Sequence, residues 1–396
     1  MRAFPRDNYL DFLRRVTDRD LVRIITGVRR CGKSTLLELY RGDLVRGGVD
    51  PQQILTINFE DAANDKLRDP ENFLGYVLEQ HESKGVQYLH VDEVQELDDW
   101  SRVINSLRVN PGMEICVTGS NATMFSGESL TYLAGRYIEL HMLPLSLAEF
   151  RRFRKDSESI EKSYREWMRI GGFPAAVLAW DPDITDQINS GLFDSIFTRD
   201  IATRGQIRDT EVFLRVARFI FDNTGSPLST NRISNHLKSQ GYSSSPESVD
   251  RYLALMEDAH LIYRCPRFDT QGKQWLKTNG KYYFVDPGLR TALLGSRDVN
   301  RGRDLENMVY LELRRRRYKV ATGHLRNAEI DFVATRGNDT KNIQVALSTE
   351  DPSTLERELR PLNGNGYLIT TDRIPPNTGN VRWIDAFEFL DGKALD

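Results

Sequence analysis

Short apolar runs alternate with longer mixed stretches in the first third of the chain. Residues 21–26, 54–59, 87–91, 114–118 and 137–142 are each five or six residues long and rich in Val, Ile and Leu. Runs of that length and composition predict buried strands. The stretches between them are long enough for helices, so the pattern predicts a parallel sheet covered on both faces. From about residue 145 to 205 the pattern is helical, broken at Gly171-Gly172-Phe173-Pro174. Residues 211–222, 231–239 and 248–259 each place apolar positions on one helical face, and 261–265 reads as a strand. Three helices followed by a short hairpin is the winged helix-turn-helix pattern. Residues 305–317 predict another helix, with Leu305, Val309 and Leu313 on one face, and 329–333 and 343–347 predict two alternating strands.

Composition narrows this picture only slightly. With 396 residues, the chain has room for two to four domains. Net charge is −3, which excludes a protein whose whole surface grips nucleic acid but not a local basic patch. Three cysteines and six scattered histidines offer neither a disulfide framework nor a zinc spacing. No run approaches the roughly 20 apolar residues of a membrane span, and residues 1–16 lack a leader's apolar segment. These features predict a reduced, cytoplasmic setting and no membrane partner.

The first strand runs straight into Gly27-Val28-Arg29-Arg30-Cys31-Gly32-Lys33-Ser34, which fits G-x-x-x-x-G-K-S/T, and a helical run follows. Glycines let backbone N–H groups turn inward around phosphate oxygens, and the helix N-terminus adds its positive end. Gly27, Arg29, Arg30, Cys31, Gly32, Lys33, Ser34 and the adjoining Thr35 are therefore the expected nucleotide-contacting set. Lys33 reaches the β/γ-phosphates, and the Ser34 hydroxyl ligates Mg²⁺. Cys31 fills a free position of the motif.

Tyr88-Leu89-His90-Val91-Asp92-Glu93 reads as the second, acidic motif. Asp92 joins Ser34 as a metal residue, and Glu93 is the base that orients the attacking water. His90 reads as a packed core histidine with its hydrogen bonds satisfied. The strand ending Thr118-Gly119-Ser120-Asn121 can set Ser120 or Asn121 between the two motifs, against the γ-phosphate or the water. Arg6 and Tyr9 are candidates for the adenine side.

Together with Ala134-Gly135-Arg136-Tyr137, Leu143-Pro144-Leu145-Ser146, Gly171-Gly172-Phe173-Pro174 and Arg199-Asp200-Ile201, these motifs resemble the AAA+-superfamily P-loop ATPases of bacteria and archaea whose C-terminal region is uncharacterised. The resemblance implies an α/β P-loop core over residues 1–147 and a helical lid over 148–205. A winged helix-turn-helix over 206–278 and a nuclease-like α/β domain over 279–396 would follow. It also implies that the Ser120 strand lies between the P-loop strand and the Asp92 strand. An arginine commonly completes such a site from a neighbouring subunit, which would make the active form a homo-oligomer. Arg136 is the first candidate, with Arg199 and Arg204 behind it.

The tail resembles the PD-D/E-xK nuclease fold, with Glu306 and Asp331 matching its acids. Its E-x-K triplet here is Gln344-Val345-Ala346, so a metal ligand and the cationic lysine are both lost. The expectation is a fold retained for binding or assembly rather than cleavage. For DNA the signals conflict. The third helix of the winged pattern carries Glu247, Asp250, Glu257 and Asp258, which oppose phosphate. Arg232, Lys238, Arg264, Arg267, Lys273 and Lys277 lie around it, and the four arginines 314–317 suit a solvated helix end. Nucleic-acid binding and a role between subunits remain alternatives. The activity expected is Mg²⁺-dependent ATP hydrolysis, the alternative an ATP-held binding switch that rarely hydrolyses.

Overall fold

The computed structural model describes residues 4–17, 20–122, 131–155, 157–207, 209–269, 274–295, 300–325 and 328–395, without the side chains of 204 and 274–279. Lys273 and the side chains of Lys277 and Arg204 therefore lie outside the described residues. The chain divides into two compact units. The first holds residues 1–142 with 258–260, and the second holds 143–257 with 261–396.

The first unit is one five-stranded parallel sheet. Its strands are β1 (Val22–Thr26), β2 (Ile54–Asn58), β3 (Tyr88–Asp92), β4 (Glu114–Gly119) and β5 (Tyr137–His141). All five sit where the apolar runs predict them, and their order is β2-β3-β4-β1-β5. The Ser120 strand thus separates the P-loop strand from the Asp92 strand, as the resemblance implies. Helices α1 (Asp7–Arg15), α2 (Lys33–Arg46), α3 (Pro70–Lys84) and α4 (Trp100–Val109) accompany it. The core beneath α3 and α4 is apolar throughout, with Ile57, Phe73, Val77, Leu89, Val91 and Leu107 buried. Phe59 stacks on Phe73 at 6.1 Å.

A polar row crosses this sheet instead of more apolar packing. Adjacent strands pair Thr56 with His90, His90 with Cys116, and Cys116 with Arg23. Buried Arg23 is neutralised by Glu114. His90 stacks on Tyr40 at 5.6 Å, and neither ring nitrogen has a hydrogen-bond partner. It is packed, as expected, but not hydrogen-bonded. Burial first, then the Arg23 and Arg41 charges, push its pKa down to about 3. A histidine whose folded pKa lies below its unfolded value supports the fold above about pH 6.5 and withdraws that support as pH falls toward 3. The slope is up to about 1.4 kcal/mol per pH unit in that window. His90→Phe should therefore lose less stability than the wild type between pH 7 and pH 5, read from urea midpoints at both.

The second unit begins with helices α5 (Leu147–Arg154), α6 (Ile160–Ile170), α7 (Pro174–Val177) and α8 (Pro182–Ser195). A π-helical turn over Ile196–Ala202 and α9 (Thr203–Gly205) extend α8. Next come α10 (Thr210–Asp222), α11 (Thr230–Ser239) and α12 (Pro246–Asp258), then an antiparallel pair β6 (Ile262–Asp269) and β7 (Gln274–Phe284). Helices α13 (Pro287–Leu294) and α14 (Arg301–Arg315) precede β8 (Lys319–His324), β9 (Glu329–Arg336) and β10 (Asp339–Ala346). Helix α15 (Pro352–Leu359), β11 (Tyr367–Thr370), β12 (Arg382–Asp385) and α16 (Ala386–Leu390) complete the unit.

Local chemistry fixes many of these starts. Ser146 and Glu149 form a reciprocal capping box at α5. Asp69-Pro70, Asp181-Pro182, Asp286-Pro287 and Asp351-Pro352 each set a carboxylate on the first free N–H groups and a proline where no N–H is needed. The Gly171-Gly172 break also has a packing cause. A Cβ on Gly172 would lie 2.4 Å from the Leu145 carbonyl oxygen, and one on Gly171 2.3 Å from Asp286 Oδ1. Asp286 is buried there and accepts N–H groups from Gly172 at 2.6 Å and Gly288 at 2.8 Å. Burial pushes its pKa up to about 6.

The expected boundaries move in two places. β6 and β7 do not form an isolated wing, because one seven-stranded sheet runs β12-β11-β10-β9-β8-β6-β7. Residue 278 falls inside β7, so the edge expected there is the middle of a strand. The compact units divide at 142/143, a few residues before the edge expected at 147.

Candidate functional site

The carboxyl ends of β1, β3 and β4 converge on one cluster. Gly27 follows β1 with φ +140°, and a Cβ there would lie 2.2 Å from the Met142 carbonyl oxygen. Arg30 has φ 62° and Gly32 φ 109°, so the loop bends through left-handed conformations just before α2. Cys31 is buried, its Sγ–H directed at the Met142 carbonyl at 3.5 Å, and burial raises its pKa. It packs the loop rather than presenting a thiol.

Lys33 opens α2 and is buried. Its ammonium donates to the carbonyls of Gly27 at 3.0 Å and Val28 at 3.3 Å, and lies 3.8 Å from Glu93 Oε1. Ser34 and Thr35 are exposed on the first turn. The Ser34 hydroxyl lies near enough to Asp92, which ends β3, to favour its charged form. Burial raises the Asp92 pKa, while the Thr118 and Ser34 hydroxyls oppose that shift. A hydroxyl and a carboxylate from two motifs thus meet where oxygen donors suit a hard cation, so Mg²⁺ fits this pair.

Glu93 takes a left-handed backbone, φ 55° and ψ 52°, which for a non-glycine residue is strained and frequent at functional positions. It is 6% exposed. Its Oε2 accepts the Ser120 hydroxyl at 3.1 Å and the Gln95 amide. Asn121 is buried beside Ser120. Arg29 pairs with Glu60 at 2.9 Å, and Arg30 is exposed. Arg6 donates to the Cys31 carbonyl at 3.3 Å, so it stands against the loop, and its guanidinium lies 4.6 Å from the Tyr9 ring.

Arg136 lies elsewhere. Val22 N–H donates to its carbonyl at 3.0 Å, at the opposite end of β1 from Gly27. A strand length of about 15 Å separates it from the P-loop. It is exposed, and it does not complete the site of its own chain. Arg199 is exposed on the π-helical turn.

The sequence reasoning missed Thr118 and Gln95. The Thr118 hydroxyl donates to Asp92 and accepts the Glu93 N–H at 3.0 Å, tying both acids to β4. The signal was a lone hydroxyl in the otherwise apolar run 115–118. Thr118→Val should lower kcat about tenfold, equivalent to about 1.4 kcal/mol, with KM for ATP little changed. Steady-state kinetics separates the two.

In the second unit, Glu306, Asp331 and Gln344 do come together. Gln344 Oε1 accepts the Asp331 N–H at 2.7 Å. Among them sits Lys281, which no local pattern singles out. Its ammonium is 2.9 Å from Glu306, 2.9 Å from Glu329 and 3.6 Å from Asp331. Burial and then Glu306 raise the Asp331 pKa. The arginines 314–316 are not a solvated helix end. Arg314 packs on Tyr263 and Tyr310, Arg315 bonds Glu312 and the Pro144 carbonyl, and Arg316 bonds Glu312 and the Phe389 carbonyl.

Family comparison agrees with this geometry. An AAA-domain model matches residues 19–151, and a model for a domain of unknown function matches 161–300. An uncharacterized protein of Haemophilus influenzae is 40% identical over 346 residues, covering 86% of both chains. The chain belongs to one family with that protein, and its residues 19–151 carry the AAA domain. An uncharacterized protein of Methanocaldococcus jannaschii is 30% identical over 359 residues, 86% of this chain and 77% of that one. A Walker-type ATPase of Pyrococcus abyssi shares the fold at TM-score 0.50 and 14% identity, over 73% of this chain and 95% of that one. The AAA domain therefore carries a P-loop of a family that binds nucleotide, usually with Mg²⁺. Among the described residues no helix is long and apolar enough to cross a membrane.

Proposed function

We propose that this AAA-domain protein hydrolyses ATP to ADP and phosphate with Mg²⁺, and that nucleotide state drives rearrangement or oligomerisation of its C-terminal half. The observation that carries the reading is the buried group Lys33, Asp92, Glu93 and Ser120 at three adjacent strand ends. Bound to Ser34 and Asp92, Mg²⁺ would neutralise phosphate charge. Glu93, held by Ser120 and Gln95, is poised to orient a water and accept its proton, and Lys33 offers the charge that a γ-phosphate needs. Asn121 adds a polar group on the same tip.

Arg136 acts, on this reading, in the site of a neighbouring copy. Its exposure and its distance from its own P-loop favour that role, which makes the working form a homo-oligomer. Mixing tests it. Lys33→Ala and Arg136→Ala proteins, each inactive alone, should regain ATPase activity together, because one supplies an intact arginine and the other an intact P-loop. A mixture no faster than its components would remove Arg136 from catalysis.

The helices α10–α12 with the β6–β7 pair are read as a winged helix, and the sheet β8–β12 with α14 as a nuclease-like fold without cleavage. Lys281 favours the second reading, since an ammonium already neutralises the carboxylates that a metal would need. Nucleic acid is a candidate partner through Arg232, Lys238 and Arg264 rather than the packed arginines 314–316. Glu93's hydrogen bonds to Ser120 and Gln95 also suit the slower switch, in which ATP is held and seldom cleaved.

A further inference from the structure

Three parallel strands of the second unit, β10, β11 and β12, end at a cavity of about 590 Å³. Leu347 and Thr371 follow the first two strands, Asp385 ends the third, and all three line it. In open α/β sheets ligands collect beyond the carboxyl ends of parallel strands. The volume is that of a small-molecule site. None of Glu306, Glu329, Asp331 or Lys281 lines it, so it is separate from the carboxylate cluster.

Five arginines line the walls: Arg165, Arg169, Arg290, Arg301 and Arg373. Three carboxylates, Glu161, Asp304 and Asp385, face them. Glu161 is shared by Arg165 at 3.2 Å and Arg373 at 3.7 Å, and Asp304 lies 3.5 Å from Arg290. Asp385 caps α16 by accepting the Glu388 N–H at 2.9 Å. Arg169 and Arg301 make no ion pair among the described residues. The cavity therefore holds five guanidinia against three carboxylates, and Arg169 and Arg301 are the two that no carboxylate pairs among the described residues. Converging guanidinia recognise phosphate by paired N–H donors. Met168, Phe387 and Tyr164 give the wall an apolar, aromatic part, in which the Tyr164 ring meets Phe387 edge-on at 5.2 Å.

We propose that this cavity binds a nucleoside phosphate, independently of the P-loop. Arg169 and Arg301 hold the phosphates, and the Tyr164–Phe387–Met168 wall takes the base. The test uses the full chain carrying Lys33→Ala, so that the P-loop contributes little, with ADP and pyrophosphate as calorimetric probes. ADP should bind saturably at one site and more tightly than pyrophosphate. Adding Arg169→Ala and Arg301→Ala should weaken ADP about 100-fold, the loss of two charge-assisted contacts. Both residues are exposed, so thermal melting should be unchanged. No saturable ADP binding, or binding indifferent to the two arginine changes, overturns the proposal. So does pyrophosphate binding as tightly as ADP, which removes the base. A short single-stranded oligonucleotide that binds more tightly than ADP and is lost in the same variant would reassign the cavity to nucleic acid.

Discussion

Replacing Lys33 with alanine is expected to weaken ATP binding about 100-fold and to reduce turnover by at least about 10³. The argument starts from the ammonium's present partners. Lys33 Nζ is buried, donates to the Gly27 and Val28 carbonyls and lies 3.8 Å from Glu93. A charged donor already desolvated by the fold loses little when it exchanges carbonyl partners for phosphate oxygens. Its hydrogen bonds to an anion are worth about 1.5–3 kcal/mol each in binding. In the transition state, where charge on the leaving phosphates grows, removing one such donor costs a further factor of about 10²–10³. Equilibrium binding of a fluorescent ATP analogue and steady-state phosphate release measure the two losses separately. Wild-type affinity in Lys33→Ala would remove this loop from nucleotide recognition.

The second large effect is expected at Glu93. Glu93→Gln should bind ATP as tightly as the wild type and hydrolyse it about 10²–10⁴ times more slowly. Glutamine keeps an oxygen to accept from Ser120, so the strained turn and its packing survive. It cannot accept a proton from water. An intact nucleotide complex without turnover also separates the two readings of the chain. If ATP alone changes the oligomeric mass of Glu93→Gln, holding the nucleotide is sufficient for assembly. If mass changes only in the wild type, hydrolysis is needed.

The core sheet was legible because parallel strands are buried on both faces and so read as uninterrupted apolar runs. The P-loop and Asp92-Glu93 motifs were legible because their residues are close in sequence and fixed in chemistry. What stayed hidden depends on distant partners. β6 pairs with β8 through Arg267 opposite Thr322, a contact between strands more than fifty residues apart, and nothing local announces it. Arg314 reads as a solvated cation until Tyr263 and Tyr310 are placed beside it. Lys281 carries no local signal of its role, which rests on Glu306, Glu329 and Asp331 around it. Thr118 reads as a strand end until its hydroxyl is found between Asp92 and Glu93. Arg136 matched a motif whose position along the sheet the sequence could not specify, and it lies at the end of β1 away from the phosphate loop.

The central claim is that Glu93 performs chemistry on a nucleotide held by the Gly27–Ser34 loop. A single-turnover measurement tests it most directly: enzyme in excess over labelled ATP, started with Mg²⁺, for wild type and Glu93→Gln side by side. The account predicts complete conversion to ADP by the wild type, and bound but uncleaved ATP on the variant over the same interval. Equal cleavage rates in the two proteins would contradict it.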